Sequence, residues 1–93
     1  MTTATPLTAN ETLMGLEATA RQRYEAAFAN RHFAVLEAAA HVDLPSGERI
    51  VVGYNALGAT SYWYREHEFE ALQPVVNRSV ALMILGQRLA LPA

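Results

Sequence analysis

The chain has 93 residues, of which 52% are hydrophobic and 17% charged, with a formal net charge of −2. A chain of this length makes one domain that buries only roughly 60–65% of its unfolded surface, which leaves little room for a buried active site and its supporting shell, and its apolar content excludes wholesale disorder. The seven basic residues are all arginine, scattered from Arg21 to Arg88, so the basic footprint a nucleic-acid binder uses to displace counterions is missing and direct nucleic-acid binding is not expected.

Cysteine is absent. That excludes disulfides and thiolate metal sites and fits a reducing, cytoplasmic compartment. The longest fully apolar run, Val80 to Leu85, falls far short of the roughly 18 residues that span a bilayer. No cationic start leads into an apolar core and cleavage site, so neither a leader nor a membrane partner is expected. The acceptor patterns at Asn10 and Asn77 are read as chance without secretion.

Residues 1–7 are expected to be flexible. Thr8 followed by Glu11 is a capping box, each side chain satisfying a backbone N–H left free at a helix start. Leu13, Leu16, Ala20, Tyr24 and Ala27 then recur at spacings of three and four, while Glu17, Arg21 and Glu25 fall on another face. This predicts an amphipathic helix over 9–29, with Glu17 and Arg21 as an i,i+4 ion pair and Asn30 as a left-handed stop.

The stretch from His32 to Val42 is ambiguous, because its Ala, Leu and Glu favour a helix by propensity. The turn that follows argues for a strand. Leu44-Pro45-Ser46-Gly47 suits a type I turn, with Pro45 presetting φ and Gly47 in the left-handed position that closes a hairpin with a bulge. That turn sets Leu44 opposite Glu48, Val42 opposite Ile50, Ala40 opposite Val52 and Ala38 opposite Tyr54. Even positions from Ala34 to Leu44 are apolar, whereas odd ones include Glu37, His41 and Asp43, so period two holds. Strands are therefore expected over 33–44 and 48–54, with a helix from Asn30 to about Ala39 as the competing reading of the first.

Residues 60–69 read as a third strand from their dense aromatics and threonine. Trp63 and Phe69 carry the larger apolar surface and are expected inward, which turns Tyr62, Tyr64, Glu66 and Glu68 outward. Pro74 suits the first turn of a helix, and 74–89 is apolar almost all round, predicting a C-terminal helix covered on more than one side. A fourth strand over 80–85 competes with that helix. The expected fold is thus α+β: a three-stranded antiparallel sheet with a helix at each end of the chain.

Chemistry-bearing motifs do not withstand inspection. Gly53 to Thr60 has P-loop glycine spacing, but Ala59 stands where the lysine belongs. Glu66, His67 and Glu68 are consecutive, so their side chains diverge and do not converge on a metal. Ser46, Ser61 and Ser79 lack a nucleophile elbow. No catalytic residue, metal ligand or cofactor is expected, and the chain is read as a non-enzymatic module. The feature with functional weight is the cluster Tyr62, Trp63, Tyr64 and Arg65, since Trp, Tyr and Arg dominate interface hot spots. With Tyr62 and Tyr64 outward, the expected partner-binding residues are Tyr62, Tyr64, Arg65, Glu66 and Glu68, an acidic aromatic patch suited to a basic protein surface.

In size, mild acidity, lack of cysteine and helix–sheet–helix order, the chain resembles small phage-encoded inhibitor proteins of the anti-CRISPR type. No residue motif defines that class, and no functional residue carries over. The resemblance implies a non-enzymatic protein acting in the host bacterial cytoplasm, where it binds a ribonucleoprotein defence complex and blocks its nucleic-acid path or locks its conformation. The rival reading is a homo-oligomeric virion component, a head or tail connector, with 75–89 buried between copies.

Overall fold

The computed structural model describes residues 7–29, 39–44, 46–54 and 59–90. The order is helix α1 (Ala9–Ala29), strands β1 (Ala39–Asp43), β2 (Arg49–Tyr54), β3 (Thr60–Arg65) and β4 (Gln73–Val75), then helix α2 (Arg78–Arg88). The four strands form an antiparallel sheet in the order β1-β2-β3-β4, and both helices pack on one of its faces. The flexible start expected over most of 1–7, the first part of the strand expected from 33, its helical alternative, and most of the glycine-rich loop after Gly53 lie outside the described residues.

α1 starts where its capping box places it. The Thr8 backbone N–H donates to Glu11 Oε1 at 3.2 Å and the Glu11 N–H donates to Thr8 Oγ1 at 3.1 Å, so two orphan donors are satisfied locally. Leu13 and Ala20 on the inner face are fully buried. The expected Glu17–Arg21 pair does not form. Arg21 instead turns one step down the helix to Glu25 at 3.2 Å, and Glu17 is claimed by groups from β3 and α2.

The hairpin obeys its turn. The Leu44 N–H donates to the Glu48 carbonyl at 2.8 Å and the Gly47 N–H to the Leu44 carbonyl at 3.0 Å. Gly47 has φ +90°, a conformation that costs a side-chain-bearing residue about 1–2 kcal/mol. The register follows as expected, with Val42 opposite Ile50 and Ala40 opposite Val52. Ala40, Leu44, Ile50 and Val52 therefore share the buried face and meet Leu13, Ala81 and Leu85 from the helices. Leu13, Ile50, Val52 and Leu85 are the largest fully buried side chains among the described residues, each worth roughly 1.5–3 kcal/mol of transfer free energy.

Three expectations are corrected here. The sheet has four strands, because residues 73–75 pair with β3 through Tyr62↔Val75, Trp63↔Pro74 and Tyr64↔Gln73. Pro74 thus sits in an edge strand. The register makes Trp63↔Pro74 a non-hydrogen-bonded pair, so its missing N–H falls on the free edge, where a proline is tolerated and blunts further pairing. Second, α2 begins at Arg78 rather than 74, capped by Asn77, whose Oδ1 accepts from the Val80 N–H at 3.1 Å; residues 80–85 are helix, not strand. Third, β3 ends at Arg65, and 66–70 form bends and a turn beside the β1–β2 turn.

The parity of β3 is also inverted. Tyr62 and Tyr64 stand opposite Val52 and Ile50, both fully buried, so the tyrosines face the helices. Trp63 and Arg65 lie on the opposite face, and Phe69, expected inward, is 96% exposed. A tyrosine ring can close the rim of a core while its hydroxyl reaches a polar partner, and both hydroxyls find carboxylates: Tyr62 donates to Glu17 and Tyr64 to Glu48.

Candidate functional site

Both helices cover one face of the sheet, and among the described residues no element packs on the other, whose central-strand residues are half-buried. On that outer face the register lines up one residue from each strand: His41, Val51, Trp63 and Pro74 form a continuous row across all four strands. Beside it, Asp43, Arg49 and Arg65 form a second row, and on the other side Ala39, Gly53 and Ser61 form a third. The centre is apolar and aromatic, and one flank is cationic.

Trp63 is held in place. Its indole N–H donates to Ser61 Oγ at 3.1 Å, two residues back along the same face. A Cβ on Gly53 would lie 2.8 Å from that Ser61 oxygen and 3.9 Å from the indole nitrogen. Glycine at 53 therefore leaves the space that the serine hydroxyl occupies, and the ring is preorganised for contact at little entropic cost.

The flank is ordered by charge. Arg49 forks onto Asp43, with Nε 2.5 Å from Oδ1 and Nη2 3.2 Å from Oδ2. This pair holds the Asp43 carboxyl below its ordinary pKa and raises that of Arg49. His41 Nε2 stands 3.7 Å from Asp43. Arg65 is differently placed: its Nε is buried and has no hydrogen-bond partner among the described residues, so its donors are not committed to an internal fork as those of Arg49 are.

The segment after β3 adjoins this flank. The Glu70 N–H donates to the His67 carbonyl at 3.0 Å, closing a turn that displays Glu66, His67, Glu68, Phe69 and Glu70, all exposed. Glu68 lies against the β1–β2 turn, where a Cβ on Gly47 would come within 3.4 Å of its backbone nitrogen. Its charge is felt by Arg49, whereas that of Glu66 is felt by Arg88. An acidic, Phe-tipped loop thus borders a cationic, Trp-centred sheet face. A shallow cleft of about 380 Å³ at their junction is lined in part by Asp43, Gly47, Arg49, Arg65 and Glu68.

On the helix side, the polar groups serve the fold. Arg78 Nε lies 3.0 Å from Glu17 Oε2, and its Nη2 lies 3.1 Å from Glu17 Oε1 and 2.9 Å from Asn10 Oδ1. Burial, and then the Glu17 carboxylate that accepts its hydroxyl, push Tyr62 up to about 12. Glu48 accepts from Ser46 at 2.6 Å and from Tyr64, and it pairs with Arg88 at 3.0 Å. The Ser46 hydroxyl, then Tyr64, lower its pKa, while burial and then that same bond raise the pKa of Tyr64. A wider concavity of about 650 Å³ between α1 and the sheet is lined in part by Glu17, Arg21, Glu25, Tyr54 and Thr60; its carboxylates are each engaged by an arginine. Among the described residues, no three His, Asp or Glu converge as a metal set would require, and no helix is long and apolar enough to cross a membrane.

Of the residues singled out from the sequence, Arg65, Glu66 and Glu68 lie on the outer face and its adjoining loop, while Tyr62 and Tyr64 point to the helix side. Trp63, Val51, Arg49, Pro74 and Phe69 were missed as surface residues. Val51 was the available signal: it is the apolar residue of β2 whose parity opposes Ile50 and Val52, so it marks a second apolar face. Compared with known proteins, the chain matches no family model, no curated protein and no solved structure.

Proposed function

We propose that the chain is a small non-enzymatic protein-contact module that docks through the outer sheet face and the 66–70 loop. Phe69 carries this reading. At 96% exposure its ring forgoes about 2 kcal/mol of burial that the fold does not use and that a partner's pocket would recover. Trp63 and Arg65 beside it are the residue types that supply interface hot spots.

The specific form of this reading is a phage-encoded inhibitor that binds a bacterial CRISPR-Cas or other defence complex through protein contacts in the host cytoplasm. Glu66, Glu68 and Glu70 support it, because a cluster of carboxylates around an apolar anchor suits the basic rim of a nucleic-acid channel. A second reading is a homo-oligomeric virion component assembled through 75–89. It is favoured by Val76, 90% exposed, and Met83, 53% exposed, on that segment.

Immobilised protein incubated with bacterial lysate tests the first reading. Wild type should retain a defined partner that the W63A/F69A double variant loses, with the fold intact by circular dichroism. Retention of the same partner by both proteins overturns it. Light scattering separates the second, since a large ring favours the virion role and a monomer or dimer the inhibitor.

A further inference from the structure

The contact surface is bipolar, and its two halves match each other. One half is the Trp63, Val51 and Pro74 row flanked by Arg49 and Arg65; the other is the loop that carries Phe69 among Glu66, Glu68 and Glu70. Resting on the reading of this surface as a contact surface, we propose that its occupant is a second copy of the chain, paired about a two-fold axis at the border of the two halves. Each copy lays its acidic loop on the other's cationic sheet face.

A two-fold contact requires that one patch meet another and receive the same contact in return. Adjacent patches of opposite charge and matching apolar centres meet that requirement. Phe69 of one copy would cover the row around Trp63, and Glu68 and Glu70 would face Arg49 and Arg65. Arg65 can receive them because its guanidinium forms no ion pair with a carboxylate among the described residues. Asp43 already answers Arg49, so Arg65 is the stronger anchor.

Size favours use of both halves. With strands about 4.8 Å apart and residues rising about 3.3 Å, the sheet face offers on the order of 400 Å², about half of the roughly 800 Å² each partner contributes to a standard interface. The sheet face alone is too small for a stable dimer. Sheet face and loop together, each used once per copy, approach the standard size.

Sedimentation equilibrium with charge-reversed variants tests the pairing. Wild type should be a dimer. R49E/R65E and E68R/E70R should each weaken association by more than about 100-fold, because every cross-copy contact becomes like-charged. An equimolar mixture of the two should recover the dimer, since each reversed face then meets a reversed loop. F69A, which alters a side chain outside the core, should also dissociate the dimer with its thermal unfolding unchanged, and it decides the matter if a charge variant fails to fold. A wild-type chain monomeric up to about 1 mM, a folded F69A that stays dimeric, folded variants whose mixture stays monomeric, or a larger ring would each overturn the proposal. If wild type is monomeric yet W63A/F69A still abolishes capture of a lysate partner, self-pairing falls while the contact surface stands; if those residues matter to neither, both fall.

Discussion

Arg78, in the first turn of α2, forks onto Glu17 in the middle of α1 across 61 positions of sequence. Glu17 also accepts the Tyr62 hydroxyl from β3, so one carboxylate joins three elements. E17A would leave the tyrosine without its acceptor and the arginine with Asn10 Oδ1 alone. Hydrogen bonds to charged groups contribute about 1.5–3 kcal/mol when buried, and partial exposure of this pair, 38% and 25%, reduces that through solvent screening. Urea denaturation should show E17A destabilised by about 1–2 kcal/mol. A loss below about 0.5 kcal/mol would mean the cluster is incidental.

Tyr62 adds an alkaline signature. Its pKa in the fold is about 12, above the ordinary 10.0, so from pH 10 upward the unfolded chain loses this proton before the folded one does. The stabilisation it provides is complete below pH 10 and is lost between 10 and about 12. Y62F should remove that decline, and ultraviolet titration should show one fewer late-ionising tyrosine. An unchanged alkaline limb in Y62F would contradict the placement.

Glu48 works in the opposite direction. The Ser46 and Tyr64 hydroxyls hold its pKa below 4.5, so its contribution is present above 4.5 and disappears as pH falls through the lower folded value. E48Q should flatten the acid limb of stability against pH in that window. S46A should do so in part, since the serine is the largest single cause of the shift. Parallel acid limbs for wild type and E48Q would count against this assignment.

The two faces of β3 should separate cleanly on mutation. Y62A/Y64A removes the rim of the core and two hydroxyl bonds, and it should destabilise by about 3 kcal/mol or more. W63A acts on the open face and should cost no more than about 1 kcal/mol. Thermal unfolding of the two variants measures the difference directly. A reversal of their order would place the aromatic row on the wrong side of the sheet.

Gly53 tunes the Trp63 platform. In G53A the new methyl would displace Ser61 Oγ, which lies 2.8 Å away, and so break its bond to the indole. Because a serine hydroxyl can rotate, stability should change by less than about 1 kcal/mol, while tryptophan fluorescence should shift toward that of S61A. Identical emission from G53A and wild type would show that the glycine makes no room for the indole.

Where structure is set by near neighbours, the sequence sufficed. The capping box at Thr8 and Glu11 fixes the start of α1 through atoms three residues apart, and the turn ending at Gly47 fixes the hairpin register because a period-two strand cannot slip by one without reversing every side chain. Tyr62, Trp63 and Tyr64 gave no such signal, since consecutive aromatics make both faces of β3 apolar and leave its parity degenerate. Glu17 and Glu48, distant in sequence, resolve it by accepting the two hydroxyls. β4 was equally silent, being three residues with a proline in the middle, too short for any periodicity and visible only once β3 is there to pair with it. The surface left for contact was therefore decided by long-range partners, because which side of a strand faces the core depends on what packs against it.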